Sequence, residues 1–207
     1  MGAVTSVGIV DYGMGNVQSV WNALEHLGAR VQLLESPDDR RGVDRVVLPG
    51  VGAFGVAMAN LRRRGWDDGV REHVGGGRPF LGVCLGLQLL ADRGVEDGDH
   101  EGLGLLPGVS RRLTAPQGVR MPHIGWNEVR PIRTDGIVAD VSPGTCFYFV
   151  HSYVLTPSDP SAASAVTEYG GSEFVSVVEV DNIVATQFHP EKSQKAGLEL
   201  LRRFLAS

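Results

Sequence analysis

The chain has 207 residues, a formal net charge of −5, 43% hydrophobic residues and 21% charged residues. That length supports a core without disulfide or metal staples. The weakly acidic balance argues against a nucleic-acid groove, which needs a basic field. No apolar run approaches the roughly 20 residues of a membrane helix. Met1–Val10 lacks the basic start and long apolar stretch of a signal peptide. Two cysteines, Cys84 and Cys146, are too few for a disulfide framework, so a reducing cytoplasm fits best.

In chain order, Val4–Val10 reads as a strand ending at Asp11-Tyr12-Gly13. Asn16–Leu27 repeats apolar residues at helical spacing (Val17, Val20, Trp21, Leu24, Leu27), and Gly28 closes it as a helix-terminating glycine. Arg30–Leu34 and Val43–Leu48 are further strands, the second stopped by Pro49-Gly50. Val56–Val74 is a long helix interrupted by Gly65. Pro79–Val83 is a fourth strand running into Cys84, and Leu85–Asp92 is the helix after it. Strands alternating with helices imply βαβ units and a parallel sheet buried on both faces. Right-handed crossovers then put the strands' carboxyl ends on one edge, where ligand chemistry collects. The turns Asp11–Gly15, Pro49–Gly52 and Gly82–Gly86 should therefore open on one cleft.

Beyond about Gly94 the pattern becomes strand-rich. Gly104–Thr114, Gly125–Val129, Phe147–Leu155 and Ser164–Glu168 read as strands. Phe174–Val180 and Ile183–Gln187 form a hairpin across Asp181-Asn182, and a helix Glu191–Leu205 ends the chain. The expected architecture is one α/β domain spanning 1–207, a mostly parallel central sheet with helices on both faces plus a smaller antiparallel sheet.

Gly82-Val83-Cys84-Leu85-Gly86, entered by a strand and left by a helix, reads as a nucleophile elbow with sulfur in place of serine oxygen. The glycines let the turn bend tightly, the helix start favours a thiolate, and the Leu85 N–H points where an oxyanion forms. A lone cysteine at a tight turn is more often structural; both glycines, the strand and the helix reverse that. A cysteine nucleophile needs a base and a group to orient it. His189-Pro190-Glu191 supplies both, because residues two apart on an extended segment share a side. Pro49-Gly50-Val51-Gly52 also follows a strand, and the Val51 N–H is a candidate second oxyanion donor.

With these segments in view, the chain resembles the class I (triad) glutamine amidotransferases, whose fold is flavodoxin-like. More closely it resembles the glutaminase subunits of imidazole glycerol phosphate synthase, from histidine biosynthesis. The resemblance rests on DYGMGN (11–16), LPGVGAF (48–54), GVCLGLQLL (82–90), PHIGWN (122–127), YFVHSY (148–153) and QFHPEKS (187–193), which span nearly the whole chain. Gln18 and Ile124 depart from residues common at their positions and touch no proposed chemical group. The resemblance implies a nucleophile at Cys84, a base at His189, an orienting acid at Glu191, and oxyanion donors at Val51 and Leu85. It implies that Gly52, Gln88, Ser152 and Tyr153 hold L-glutamine, and that Trp126 and Lys192 contact a partner. That partner would be a (β/α)8 cyclase, bound as a heterodimer and receiving ammonia internally. It joins the ammonia to a ribulosyl aminoimidazole-carboxamide nucleotide, giving imidazole glycerol phosphate and an aminoimidazole-carboxamide ribotide. No cofactor, metal, nucleic acid or membrane is implied.

Three other readings compete. One is a different amidotransferase glutaminase, such as that of pyridoxal phosphate synthesis, which lacks DYGMGN and PHIGWN. The second is a partner-free cysteine hydrolase such as a γ-glutamyl peptidase. The third is a dinucleotide-binding module, for which Asp11–Gln18 lacks the third glycine. The six histidines show no zinc-ligand spacing; His151 reads as a hydrogen-bonded core residue, and Arg62-Arg63-Arg64 as a solvated helix face.

Overall fold

The computed structural model describes residues 4–207; Met1, Gly2 and Ala3, part of the segment read as lacking a leader, lie outside them. The first half supplies β1 (Ser6–Val10), α1 (Val17–His26), β2 (Arg30–Leu34), β3 (Arg45–Gly50), α2 (Phe54–Arg63), α3 (Trp66–Gly75), β4 (Phe80–Cys84) and α4 (Leu85–Gln88). The second half is mostly strand: β5 (Ala91–Gly94), β6 (His100–Glu101), β7 (Leu106–Arg112), β8 (His123–Glu128), β9 (Arg130–Pro131), β10 (Cys146–His151), β11 (Tyr153–Pro157), β12 (Ala163–Tyr169), β13 (Ser172–Val180) and β14 (Ile183–Thr186), then α5 (Gln194–Ala206).

Eight strands form the main sheet in the order β2-β1-β3-β4-β14-β13-β12-β9. The five from β2 to β14 run parallel, and β13, β12 and β9 continue antiparallel. β1 and β4 are buried along their whole length, as strands covered on both faces must be. Successive side chains alternate between two cores. Val46, Leu48 and Phe80 pack with Phe54, Met58, Leu61, Trp66 and Val70 of α2 and α3. Val47, Leu81 and Val83 pack with Val20 and Leu24 of α1 and Leu200, Leu201 and Phe204 of α5.

Four-stranded and two-stranded sheets, β11-β7-β5-β6 and β10-β8, flank the main one. The two-stranded sheet is antiparallel, as expected, while in the four-stranded sheet β5 and β7 run parallel. The Phe174–Ile183 hairpin forms as read, with Asp181 at φ 51°, and its second strand enters the main sheet beside β4.

Several elements differ from the sequence reading for identifiable reasons. β3 runs through Pro49 to Gly50 because Gly50 pairs with Cys84. The long helix is two helices, broken where Gly65 adopts φ 70°. The helix expected over Leu85–Asp92 stops after one turn. Leu89 and Leu90 form a turn into β5, with the carbonyls of Leu89, Leu90 and Ala91 accepting from the N–H groups of Leu103, Leu105 and Gly104. A fully buried apolar run has no period to separate helix from strand, and here the backbone ladder decides. Phe147–Leu155 is two strands in different sheets, parted at Ser152. The terminal helix begins at Gln194 rather than Glu191, because Pro190–Lys192 forms a 3-10 turn.

Candidate active site

Cys84 ends β4 with φ 56° and ψ −109°, a conformation that a non-glycine residue holds only under constraint from its surroundings. The strain sits on the cysteine, not on its neighbours. Gly82 and Gly86 serve close approach: a side chain on Gly86 would begin 2.0 Å from the Leu48 carbonyl oxygen, and one on Gly82 2.9 Å from that of Gly86. α4 has four residues, so its dipole is that of a single turn, weaker than a long helix would provide.

The Cys84 thiol, 5% exposed, points toward the Val150 carbonyl oxygen at 3.9 Å, and the Gln187 amide donates toward the sulfur at 3.7 Å. His189 arrives on the segment after β14, the strand that pairs with β4. Its Nδ1 bonds Glu191 Oε1 at 2.8 Å, with both side chains almost fully buried. They meet across the Pro190–Lys192 turn instead of by strand alternation. Ser193, buried at the C-terminal end of this turn, accepts from the Tyr148 N–H at 3.0 Å and donates to the His189 carbonyl at 2.6 Å. That clamp fixes the ring's backbone.

With Nδ1 engaged by Glu191, Nε2 is the ring atom left for the thiol, and it makes no hydrogen bond in this structure. Burial resists charge on the ring. The pull of the nearby Cys84 and of the bonded Glu191 outweighs it and raises the His189 pKa to about 10. His189 is thus an imidazolium at neutral pH.

Val51, Gly52, Cys84, Leu85, Gln88, Glu96, Pro122, Val150, His151, Ser152 and Tyr153 line one pocket of about 340 Å³. It holds the sulfur, both expected oxyanion donors and all four residues expected to contact glutamine. His189 and Glu191 are not among its lining residues, and a pocket of similar size lined by Arg111, Arg112, Leu155 and Glu173 contains no thiol. Gln88 is buried and donates to the Tyr153 carbonyl at 2.9 Å and to Gln187 Oε1 at 3.2 Å, so it braces the pocket wall. Gly52 adopts φ 104°, and a side chain there would meet Met14 Cε at 2.7 Å. Asp11–Gly15 therefore packs behind Pro49–Gly52, although its residues do not line the pocket.

His151 is a hydrogen-bonded core residue that also lines the pocket. Its Nδ1 donates to the Tyr153 carbonyl at 3.1 Å, and its Nε2 accepts from His123 Nδ1 at 3.0 Å. Burial lowers their pKa values to about 3 and about 4, which keeps both rings neutral. Arg64 is not merely solvated, because its guanidinium donates to the Asp11 carbonyl at 2.8 Å. Trp126 is 48% exposed and meets the Tyr148 ring edge-on at 6.0 Å, while the Lys192 ammonium lies 5.9 Å from the same ring. With Ile124 they form one exposed face of the β8–β10 ribbon.

Sequence reasoning missed Glu96, Gln187 and Ser193. Gln187 carried a signal, lying two residues before His189 on an extended segment. Glu96 carried none, since it reaches the pocket only through the tertiary bond from the Phe54 N–H to its carboxylate at 2.8 Å. Among the described residues no cluster of three or more His, Cys, Asp or Glu side chains has metal-holding geometry, and no helix is long and apolar enough to cross a membrane.

The family model for class-I glutamine amidotransferases matches residues 8–207. The chain is 45% identical over 196 residues to "Imidazole glycerol phosphate synthase subunit HisH" of Rhodopirellula baltica, covering 95% of each. It is 48% identical over 198 residues to the protein of the same description from Aquifex aeolicus, covering 95% of this chain and 94% of that one. A crystal structure described as a glutamine amidotransferase superposes with a TM-score of 0.74 at 22% identity over 97% of each chain, which shows the shared fold. The chain belongs to the class-I glutamine amidotransferase family, within the group of its imidazole glycerol phosphate synthase subunits.

Proposed function

We propose that this chain is the glutaminase subunit of imidazole glycerol phosphate synthase, with Cys84, His189 and Glu191 as its catalytic triad. The observation that carries the reading is a strained cysteine lining an amino-acid-sized pocket, on the strand beside the one that leads into a buried histidine–carboxylate pair. Glutamine enters with its side-chain amide at the sulfur. The Cys84 thiolate attacks the amide carbon, and the oxyanion forms against the N–H groups of Leu85 and Val51. The His189 imidazolium gives its proton to the amide nitrogen, which leaves as ammonia. The neutral ring then takes a proton from water, and the resulting hydroxide attacks the thioester. Glutamate departs, and thiolate and imidazolium are restored. Glu191 holds the ring's orientation throughout.

Gly52, Gln88, Ser152 and Tyr153 shape the glutamine site. The Glu96 carboxylate on the pocket wall offers the negative charge that the substrate's α-ammonium needs. The ammonia passes to a (β/α)8 cyclase docked as a heterodimer, with Trp126 and Lys192 in the interface. An exposed tryptophan beside a tyrosine and a lysine suits an interface anchor. Val51, 41% exposed at the pocket mouth between two glycines, lets the Gly50–Val51 peptide turn at low steric cost. Partner binding then completes the oxyanion hole and couples the two reactions. The setting is the cytoplasm of a histidine-synthesising cell.

The test is glutamine-dependent cyclisation by the chain co-purified with its cognate cyclase, with Cys84→Ser as control. Glutaminase turnover is measured with and without the cyclase and its ligand. Full turnover alone speaks for a partner-free hydrolase, and ammonia delivery to another acceptor speaks for a different amidotransferase.

A further inference from the structure

Tyr12 lies in the turn after β1 with no solvent exposure, and its hydroxyl has no hydrogen-bond partner. A buried polar group without a partner loses its hydration for nothing in return, so its retention calls for an explanation. The hydroxyl's position is specific. A side chain on Gly50 would begin 2.8 Å from it, 2.8 Å from Leu85 Cβ and 3.0 Å from the Gly86 nitrogen. Tyr12 thus reaches the point where the two backbone segments carrying the oxyanion donors cross. Burial, reinforced by the nearby Cys84, keeps the phenol protonated across the working pH range, and so a donor.

We infer that Tyr12 is a positioning residue of the oxyanion hole: its hydroxyl donates to the Gly50 carbonyl when the Gly50–Val51 peptide turns to aim the Val51 N–H into the pocket. A peptide rotation moves its N–H and C=O in opposite senses. Bringing the N–H to the substrate side therefore sends the carbonyl toward the buried side, where the phenol waits. The hydroxyl is unpaired in the resting arrangement and paired in the active one. Such a difference shifts the population toward the active arrangement by as much as the pairing stabilises it. Tyr12 touches neither substrate nor sulfur in this account; it acts through the Val51 peptide. The inference rests on the triad reading and adds the residue that stabilises the catalytically competent oxyanion strand.

The experiment uses Tyr12→Phe in the full chain with its cyclase, which removes the hydroxyl alone. Parent and Cys84→Ser proteins are assayed first; a parent without glutaminase activity overturns the triad reading, and this inference with it. With an active parent, Tyr12→Phe lowers kcat by about tenfold, less than the roughly 10²–10³ lost with an oxyanion donor itself, and leaves KM within about twofold. Alkylation of Cys84 by iodoacetamide, followed by peptide mass because the exposed Cys146 also reacts, forms no oxyanion and keeps its parent rate. Tm rises by roughly 2–4 °C, because an unsatisfied hydroxyl has left the resting core. Unchanged kcat overturns the inference. So does alkylation that slows in parallel with kcat, which would place the hydroxyl on the sulfur. A lowered Tm or a failure to fold overturns it as well, by showing the hydroxyl bonded at rest.

Discussion

The charge on His189 has consequences for stability that can be worked from the structure. Burial favours the neutral ring, but Cys84 and Glu191 together raise its pKa to about 10 from 6.5. A histidine whose folded pKa lies above its unfolded value contributes stability that is complete below about pH 6.5 and is lost as pH rises through about 10. At about 1.4 kcal/mol per unit, that span sets an upper limit on the order of 5 kcal/mol. Urea unfolding from pH 6 to 10 should therefore show stability falling on the alkaline side. Glu191→Gln removes the carboxylate at 2.8 Å and leaves burial opposed by the thiol alone. The alkaline loss then shifts to lower pH and shrinks, and the difference between the two proteins cancels the tyrosines, lysines and Cys146 common to both. In ¹⁵N-histidine spectra, the His189 ring of the parent should remain protonated at pH 8. A parent ring that titrates near pH 6.5, or an alkaline loss identical in Glu191→Gln, would refute the argument that this pair holds the proton.

On the acid side the sign reverses: His73, His123 and His151 are held neutral by burial, with pKa values near 4, 4 and 3, so stability falls as pH drops below about 6.5 and His123→Asn blunts the loss in urea unfolding. Cys84→Ser should lower glutaminase turnover by at least about 10³-fold, because triad members act as a unit, while far-UV circular dichroism stays unchanged. Gly86→Ala forces a methyl to within 2.0 Å of the Leu48 carbonyl; the elbow must open, at a cost of roughly 2–4 kcal/mol in urea unfolding, and glutaminase activity is lost. Trp126→Ala should weaken cyclase binding by about 1–3 kcal/mol in calorimetry and leave Tm within a few degrees, since the side chain is half exposed.

Which parts were legible follows from how far each signal reaches along the chain. β1 to β4 are short apolar runs closed by glycine or proline, so their existence and order read directly, and the elbow after β4 carries its own punctuation. The β10–β11 break was present but subtle. Phe147, Phe149 and His151 face inward at odd positions, whereas burial shifts to Val154 and Leu155 beyond Ser152. That change of phase marks a strand changing sheets. β5 had no such signal, because the buried run Leu89-Leu90-Ala91 that leads into it has no alternation to mark where helix gives way to strand. Its pairing depends on Gly102, where any side chain would strike the Ala91 carbonyl at 2.1 Å. The site divides the same way. Cys84, His189 and Glu191 sit in motifs dense enough to read, but the sheet order that puts β14 beside β4, and so the imidazole behind the thiol, is a property of the folded topology. Glu96, Ser193 and Tyr12 lie still further from view. Glu96 and Ser193 bond backbone, at Phe54 and at Tyr148 and His189, and the Tyr12 hydroxyl lies beside the Gly50 backbone; a main-chain neighbour leaves no complementary residue type for a sequence to display. The nucleophile is therefore legible before the machinery that orients it, and the unpaired hydroxyl beside Gly50 is a part that only the three-dimensional arrangement exposes.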